Sequence, residues 1–252
     1  MSNTIPAVSL SAVPSRRSAT VDLAVEIEKR GFSGIYCPSF GDALGLCQSI
    51  AEKTESIQFG TSIVNMYTRH AQDYASSAAF VHEISGGRFV FGVGVSHGPM
   101  NDRLSITTGK PIEDTRKFIN SYKTAERLGE LPPLIIAAMR DKMISLGAKE
   151  SNGIVFANAA RSAVEGSLER MRMKHKITDE FFIGGMIPVC ISNNRESAAA
   201  VNRKTLSMYV GLPNYRNYWK SIGYEEEMEL IEIAVSKKDY ASLPKLMTDK
   251  WL

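Results

Sequence analysis

The stretch SGGRFVFGVGVSHG, Ser85 to Gly98, decides how this chain is read. A glycine pair precedes an apolar run, and Gly92 and Gly94 alternate inside that run before Ser96, His97 and Gly98. Two architectures use such a pattern: a dinucleotide-binding fingerprint, or a strand that delivers a site at its carboxyl end. The fingerprint needs G-x-G-x-x-G with a helix following at once, so that free N–H groups face a pyrophosphate. Here the spacing is Gly92-x-Gly94-x-x-x-Gly98, and Pro99 opens a polar loop through Gly109 and Pro111. Asp114 stands about twenty residues on, where a ribose-binding acid would be sought, but it begins a helix instead of ending a second strand. The fingerprint fails on context. In the second reading Gly92 and Gly94 share one face of a strand and leave it open to a flat ring or a phosphate. Gly86 and Gly87 belong to the opposite end, where positive φ stops the preceding helix.

Working outward, short apolar runs alternate with amphipathic segments. Strand candidates are Ile5–Val13, the run GIYCP, Ile57–Val64, Arg88–Val95, PLIIAAM, IVFANA and a run inside FFIGGMIPVCIS. Between them lie helical segments: TVDLAVEIEKRG with Thr20 as its cap and Gly31 as its stop, ALGLCQSIAEKT, about Ala71–Ile84, roughly Ile112–Arg127, KMISLGAKE, and SAVEGSLERM. RESAAAVNRKTLSMYV is a seventh helix, and the tail from LPNYRNYW onward reads as further helix. Strands apolar on both faces and joined through helices imply parallel pairing with right-handed crossovers. A doubly wound open sheet and a (β/α)8 barrel both fit that rhythm. The expected organisation is a single α/β domain over residues 1–252, with a short helical insertion at about 212–250.

Bulk properties narrow the function. The chain has 252 residues, 44% hydrophobic and 23% charged, with a formal net charge of +3. That weak excess disfavours a nucleic-acid binder, and the densest basic run, RMRMKHK, holds no aromatic to stack on a base. Cys37, Cys47 and Cys190 show no CxxC spacing, and His70, His82, His97 and His175 form no i, i+4 pair, so no metal site is expected. No apolar run approaches the ~20 residues of a membrane span, and the amino terminus lacks a basic region ahead of its apolar part. A reduced, soluble, cytoplasmic protein with no nucleic-acid or membrane partner is expected. Cys37 and Cys190 read as small buried hydrophobes. His82 and Glu83 read as surface, Asp102 and Arg103 as loop, and Tyr215, Tyr218 and Trp219 as a packing cluster.

GTSIVNMYTRHA, HEISGGRFVFGVGVSHG and PLIIAAMRDKMISLGAKESNGIVFANA, in that order, resemble the bacterial luciferase-like oxidoreductases. The branch resembled is that of the coenzyme-F420-dependent methylenetetrahydromethanopterin reductases. The resemblance implies a TIM (β/α)8-type barrel that holds a deazaflavin, F420, or alternatively FMN, at the carboxyl ends of its strands. It implies a bulge in the third strand with a non-proline cis bond at Ser62–Ile63, backing the ring. Asn65 and Tyr67 would then meet the ring edge, while Gly94, Val95, Ser96 and His97 line the cofactor's side chain. Ala138, Met139 and Arg140 would open a phosphate site, and Asn158 ends the sixth strand in a similar position. His97, as a group that titrates near neutral pH, and His70, at the entry to the third helix where it reaches the pocket or caps and packs, are the candidate catalytic residues.

Three departures stand out. The second strand ends CPSFGD, so Ser39 and Phe40 occupy the place of an acidic–histidine or histidine pair. Seven strands are counted where relatives have eight, so the barrel lacks its eighth strand–helix unit. The insertions are short, which leaves the site open. The implied activity is hydride transfer between F420 and a small-molecule substrate by a homodimer. The alternatives are an FMN-dependent monooxygenase and a trimmed barrel that binds flavin without turnover.

Overall fold

The computed structural model describes residues 5–252. Residues 1–4, where the amino-terminal reading begins, lie outside the described residues. By density of internal contacts the chain divides into two compact units. The first runs to Val155 and resumes over Met171–Gly184; the second comprises Phe156–Arg170 and Gly185–Leu252.

The seven strands are β1 (Val8–Ser9), β2 (Ile35–Pro38), β3 (Phe59–Asn65), β4 (Phe89–Gly94), β5 (Leu134–Ala137), β6 (Gly153–Ala157) and β7 (Phe182–Met186). They form one sheet in sequential order, β1 to β7, with parallel pairing from β1 through β6. The intervening helices are α1 (Arg17–Lys29), α2 (Ala43–Lys53), α3 (Ala71–Ile84), α4 (Gly98–Arg103), α5 (Pro111–Lys123), α6 (Asp141–Glu150) and α7 (Arg161–Lys174). After β7 come α8 (Arg195–Val210), α9 (Pro213–Ser221), α10 (Glu225–Ser236) and α11 (Leu243–Leu246).

Sequential order distinguishes the two architectures left open by the sequence, because a doubly wound sheet reverses direction at a switch point. A side-chain contact in the first unit adds that the sheet curls. Tyr36 of β2 and Phe182 of β7 lie tilted against each other at 5.5 Å between ring centroids. In a flat sheet those strands would lie five spacings apart, about 24 Å. Among the described residues the sheet is a TIM-barrel type with seven strands and no eighth.

On the helix side of the sheet, Phe59, Phe89 and Phe91 are fully buried. Phe91 stacks on Tyr122 of α5 at 5.5 Å and tilts against Tyr74 of α3 at 5.4 Å. Each such ring contributes about 1.5–3 kcal/mol by leaving water. Cys37 is fully buried on this side, as expected of a small hydrophobe, and so is Cys47; Cys190, expected to be buried too, is only half-buried.

Several boundaries differ from the sequence reading. β1 is far shorter than Ile5–Val13, with only an isolated bridge from Ile5 to Phe32 before it. Pro6 has no N–H to offer, and the strand pairs on one side only. Thr20 does not cap α1: Arg16 occupies the cap, and the Thr20 hydroxyl donates back to the Arg16 carbonyl. His82 is buried, its Nδ1 lying 3.1 Å from the Phe89 carbonyl. The Gly86–Gly87 turn, with φ of +62° and +85°, ends α3 as expected and folds the chain back beside that ring.

In the second unit Tyr218 and Trp219 are buried, and Trp219 meets Trp251 edge-to-face at 4.8 Å. Arg216 is buried with them, donating to the Val210 carbonyl and pairing with Glu232, which also holds Lys220. The aromatic cluster in the tail is thus a core.

Candidate functional site

The carboxyl end of β3 is bulged. Against β2, Cys37 pairs with Thr61 but Pro38 pairs with Ile63; against β4, Phe91 pairs with Thr61 but Val93 pairs with Val64. One extra β3 residue is therefore absorbed at Ser62–Ile63, against both neighbours. The resemblance correctly implied a bulge here. It did not correctly imply the cis bond: no cis peptide occurs among the described residues. The register shift takes up the extra residue with trans geometry.

Gly92 makes the bulge possible. A Cβ at this position would run into the carbonyl groups of Thr61 and Ser62. The Thr61 hydroxyl clamps the same spot, accepting from the Gly92 N–H at 2.8 Å and donating to the Gly92 carbonyl at 2.9 Å. The face read from sequence as open is thus filled at Gly92 by bulge backbone. At Gly94 a Cβ would lie 2.7 Å from Ile63 Cγ2 and 2.9 Å from Ala137 Cβ. The two glycines bring β3, β4 and β5 together. The Ser62 hydroxyl, by contrast, is buried without a hydrogen-bond partner. An unsatisfied hydroxyl costs about 1–3 kcal/mol.

The next residues are committed to the protein. Asn65 is buried; its Nδ2 donates to Asn101 Oδ1 at 2.8 Å and its Oδ1 accepts from the Tyr67 N–H at 3.1 Å. Tyr67 donates its hydroxyl to Asp114 Oδ2 at 2.7 Å, and the same oxygen accepts from the Gly109 N–H. Burial first, and then the Asp114 carboxylate, push the Tyr67 phenol far up, so it stays protonated.

After β4 the backbone turns at Ser96, whose φ of +58° is rare for a residue with a side chain. His97 then caps α4, its Nδ1 accepting from the Met100 N–H at 3.3 Å. The sequence reading had a polar loop here; the histidine cap and Pro99 in the first turn make it a short helix. Burial pushes the His97 imidazole below its ordinary value. Nδ1 is thus an acceptor, the proton rests on Nε2, and the ring is neutral at pH 7. His70 has the same local job, capping α3 through Nδ1 at 3.4 Å from the Gln72 N–H, but is exposed.

At the end of β5, Ala138 is buried and its N–H donates to the Val155 carbonyl. Met139 is half-buried and Arg140 exposed. Arg140 occupies the cap of α6 without a side-chain bond, and Asp141 places a carboxylate in that first turn. In the second unit, Asn158 follows β6 with φ of +56°; its N–H donates to the Met186 carbonyl, while its Nδ2 is buried and unpartnered. Ser39 and Phe40, after β2, are exposed.

Sequence reasoning missed Thr61 and Asn101. Thr61 looked like one more β-branched strand residue. Asn101 sits in a segment that composition labels as loop, and its burial arises only because α4 forms.

Comparison with known proteins agrees with the fold. The 5,10-methylenetetrahydromethanopterin reductase of Methanolobus tindarius is 27% identical over 153 residues, which are 51% of this chain and 47% of that protein. The chain thus spans about half the length of that relative. The reductase of the same name from Archaeoglobus fulgidus is 23% identical over 231 residues, 81% of this chain and 70% of its own. The structure of coenzyme F420 dependent tetrahydromethanopterin reductase from Methanopyrus kandleri superposes with a TM-score of 0.71 at 17% identity, covering 98% of this chain and 84% of that one. The model of the luciferase-like monooxygenases matches residues 4–251. With a sequentially ordered parallel sheet, a bulged third strand and that match over nearly its whole length, the chain belongs to the luciferase-like monooxygenase family.

Proposed function

We propose that this chain is an oxidoreductase that transfers a hydride between coenzyme F420 and a small organic substrate. The observation that carries the reading is the β3 bulge with the unpartnered Ser62 hydroxyl, a fixed shelf with one polar atom unspent. A planar tricycle fits such a shelf, since Gly92 and Gly94 hold it rigidly against β4 and β5. The deazaflavin, when bound, supplies two-electron hydride chemistry. Ser62 and Ile63 support the ring, and Gly94, Val95, Ser96 and His97 border it. Ala138, Met139 and Arg140 take the phosphate end. Asn65 and Tyr67 act by holding the rim, their polar atoms already being paired.

His97 presents Nε2–H, since Nδ1 is used as the α4 cap. At neutral pH it donates a hydrogen bond to a substrate oxygen and orients it. Acidification through its lowered range converts the ring to a cation and breaks the cap. His70 lies at the rim as the second candidate. No acid or histidine ends β2, so Ser39 and Phe40 leave proton handling to the histidines and to water. We read the active form as one luciferase-like barrel domain in a cytoplasmic homodimer, with neither nucleic acid nor membrane as partner. Among the described residues no helix is long and apolar enough to cross a membrane.

A second reading has one specific support. The matching family is described by monooxygenases, so an FMN-dependent monooxygenase belongs beside the F420 enzyme. Separate calorimetric titrations with F420 and with FMN decide between them. Saturable micromolar binding of F420 alone supports hydride transfer, and a screen of alcohols, aldehydes and imines for F420 absorbance changes follows. Preference for FMN moves the chain to the monooxygenases. Binding with no turnover on any substrate leaves a flavin-binding barrel without catalysis, and binding of neither removes the enzyme reading.

A further inference from the structure

A set of side chains ties three separate segments together, and Asn101, at its centre, has no place in the chemistry just described. Asn101, on the second turn of a helix only six residues long, is 4% exposed. Its Nδ2 donates to the Val95 carbonyl at 3.1 Å, and its Oδ1 accepts from Asn65 at 2.8 Å. Its own N–H donates to the His97 carbonyl at 3.1 Å, and its carbonyl accepts from Ile106 at 2.9 Å. Asn65 is in turn oriented by the Tyr67 N–H, and Tyr67 is anchored by Asp114 at the start of α5. The tie to Val95 lands one residue before Ser96, the position of positive φ, and two before His97.

We propose that Asn101 is the positioning residue of the site, fixing the Val95–Ser96–His97 turn with Asn65, Tyr67 and Asp114 standing behind it. An amide is the side chain this place calls for. It must donate to a carbonyl on one side and accept from an amide on the other, which neither a carboxylate nor an aliphatic chain does. A buried chain of this kind is rigid because every member is satisfied, and it fails as a unit when one member is lost. Ser96 holds a costly backbone conformation only while its surroundings enforce it. With the Val95 carbonyl released, that turn relaxes, the His97 ring loses its geometry toward Met100, and Nε2 no longer points one way.

The inference rests on the reading that His97 borders the bound cofactor or substrate, so its test separates the two. The full chain, labelled with ¹⁵N-histidine and free of cofactor, is examined by two-bond ¹H–¹⁵N spectroscopy at pH 8, with His97 assigned through His97→Gln. The wild type shows His97 almost wholly as the Nε2–H tautomer. Asn101→Leu gives a mixture, with the Nδ1–H form rising several-fold, and weakens F420 affinity about ten-fold. Tyr67→Phe removes one hydroxyl from the far end, folds more readily, and gives the same changes at about two- to three-fold. An unchanged His97 tautomer in folded Asn101→Leu overturns the proposal, as it does in Tyr67→Phe should the leucine variant not fold. A changed tautomer with unchanged cofactor affinity supports Asn101 as the residue that positions His97 and overturns instead the reading that His97 borders the cofactor. If the wild type binds neither F420 nor FMN, the proposed function falls, and the tautomer measurement still decides whether Asn101 positions His97.

Discussion

The two ends of the sheet in the first unit are held by different chemistry. At the amino ends of the strands, charged side chains spend themselves on main-chain groups. Arg88 donates five hydrogen bonds, to the carbonyls of Ala51, Thr54, Ile57 and Ser85 and to the Thr54 hydroxyl, and so closes the end of α2. Glu28 accepts from the N–H groups of Glu55, Ser56 and Ile57 and from the Ser56 hydroxyl. At the carboxyl ends the ties are mostly neutral amides and hydroxyls, a residue of positive φ is tolerated, and a buried hydroxyl is left over. The first end is built to be satisfied, and the second keeps something unspent. That difference supports the proposed site at the carboxyl end.

Gly92→Ala breaks the comparison most severely. The new methyl group would meet the Thr61 and Ser62 carbonyls, both backbone and both part of the bulge. Neither can rotate away, so a loss of about 3 kcal/mol or more is expected, above the usual overpacking cost. Urea unfolding at constant m-value checks it, and a change below 1 kcal/mol would show that the bulge yields. Arg88→Ala tests the other end. It strands carbonyls at the C-terminus of α2, though water reaches this half-buried site and repays part of the loss. A cost of about 2–3 kcal/mol is expected, with F420 or FMN affinity unchanged. Altered affinity would mean that the two ends are coupled.

How much of this was legible in sequence depends on how local the determinant is. The β–α order, the span of α3 and the Gly86–Gly87 turn after it follow from periodicity and from glycine's freedom at positive φ. The candidate site was legible as a cluster of residues but not in its atomic partners. Asn65, Tyr67, Ser96 and His97 do gather around the ends of β3 and β4. Yet Asn65 and Tyr67 are occupied by Asn101 and Asp114, partners 36 and 47 residues away in sequence. No window of local sequence contains such a pair. Gly92 was noticed for the right reason, close approach, but assigned to the wrong neighbour: the approaching group is the chain's own backbone.

Glu28 supplies a pH test of the amino end. Burial alone would raise its carboxyl, but the N–H groups of Ser56, Ile57 and Glu55 outweigh this and lower it from the ordinary 4.5. A folded value below the unfolded one means that the unfolded chain binds the proton first. The contribution is therefore complete above pH ~5 and is lost as pH falls through 4.5 and the lower folded value. Glu28→Gln should cost about 1–2 kcal/mol at pH 7, and wild type and variant should converge on acidification. A constant difference from pH 7 to pH 3 would show that the carboxylate charge has no part.

The smallest effect expected is at Tyr122, which shares the helix side of the sheet with residues that are all satisfied. Its ring is 1% exposed and stacked on Phe91 and Phe118, yet its hydroxyl is buried without a partner. Burial pushes the phenol far up, so the neutral form, one donor and its lone pairs, is the species left unsatisfied. Tyr122→Phe keeps both stacks and removes only the unpaired group, so the desolvation penalty disappears while packing is retained. The variant should equal or exceed wild type by about 0.5–1 kcal/mol, read as a raised urea midpoint, with cofactor affinity unaltered. A loss of more than 1 kcal/mol would mean the hydroxyl has a partner, most simply an ordered water. The helix side would then be satisfied at Tyr122 as well, and Ser62 would be left as the unspent side chain among the described residues of this unit.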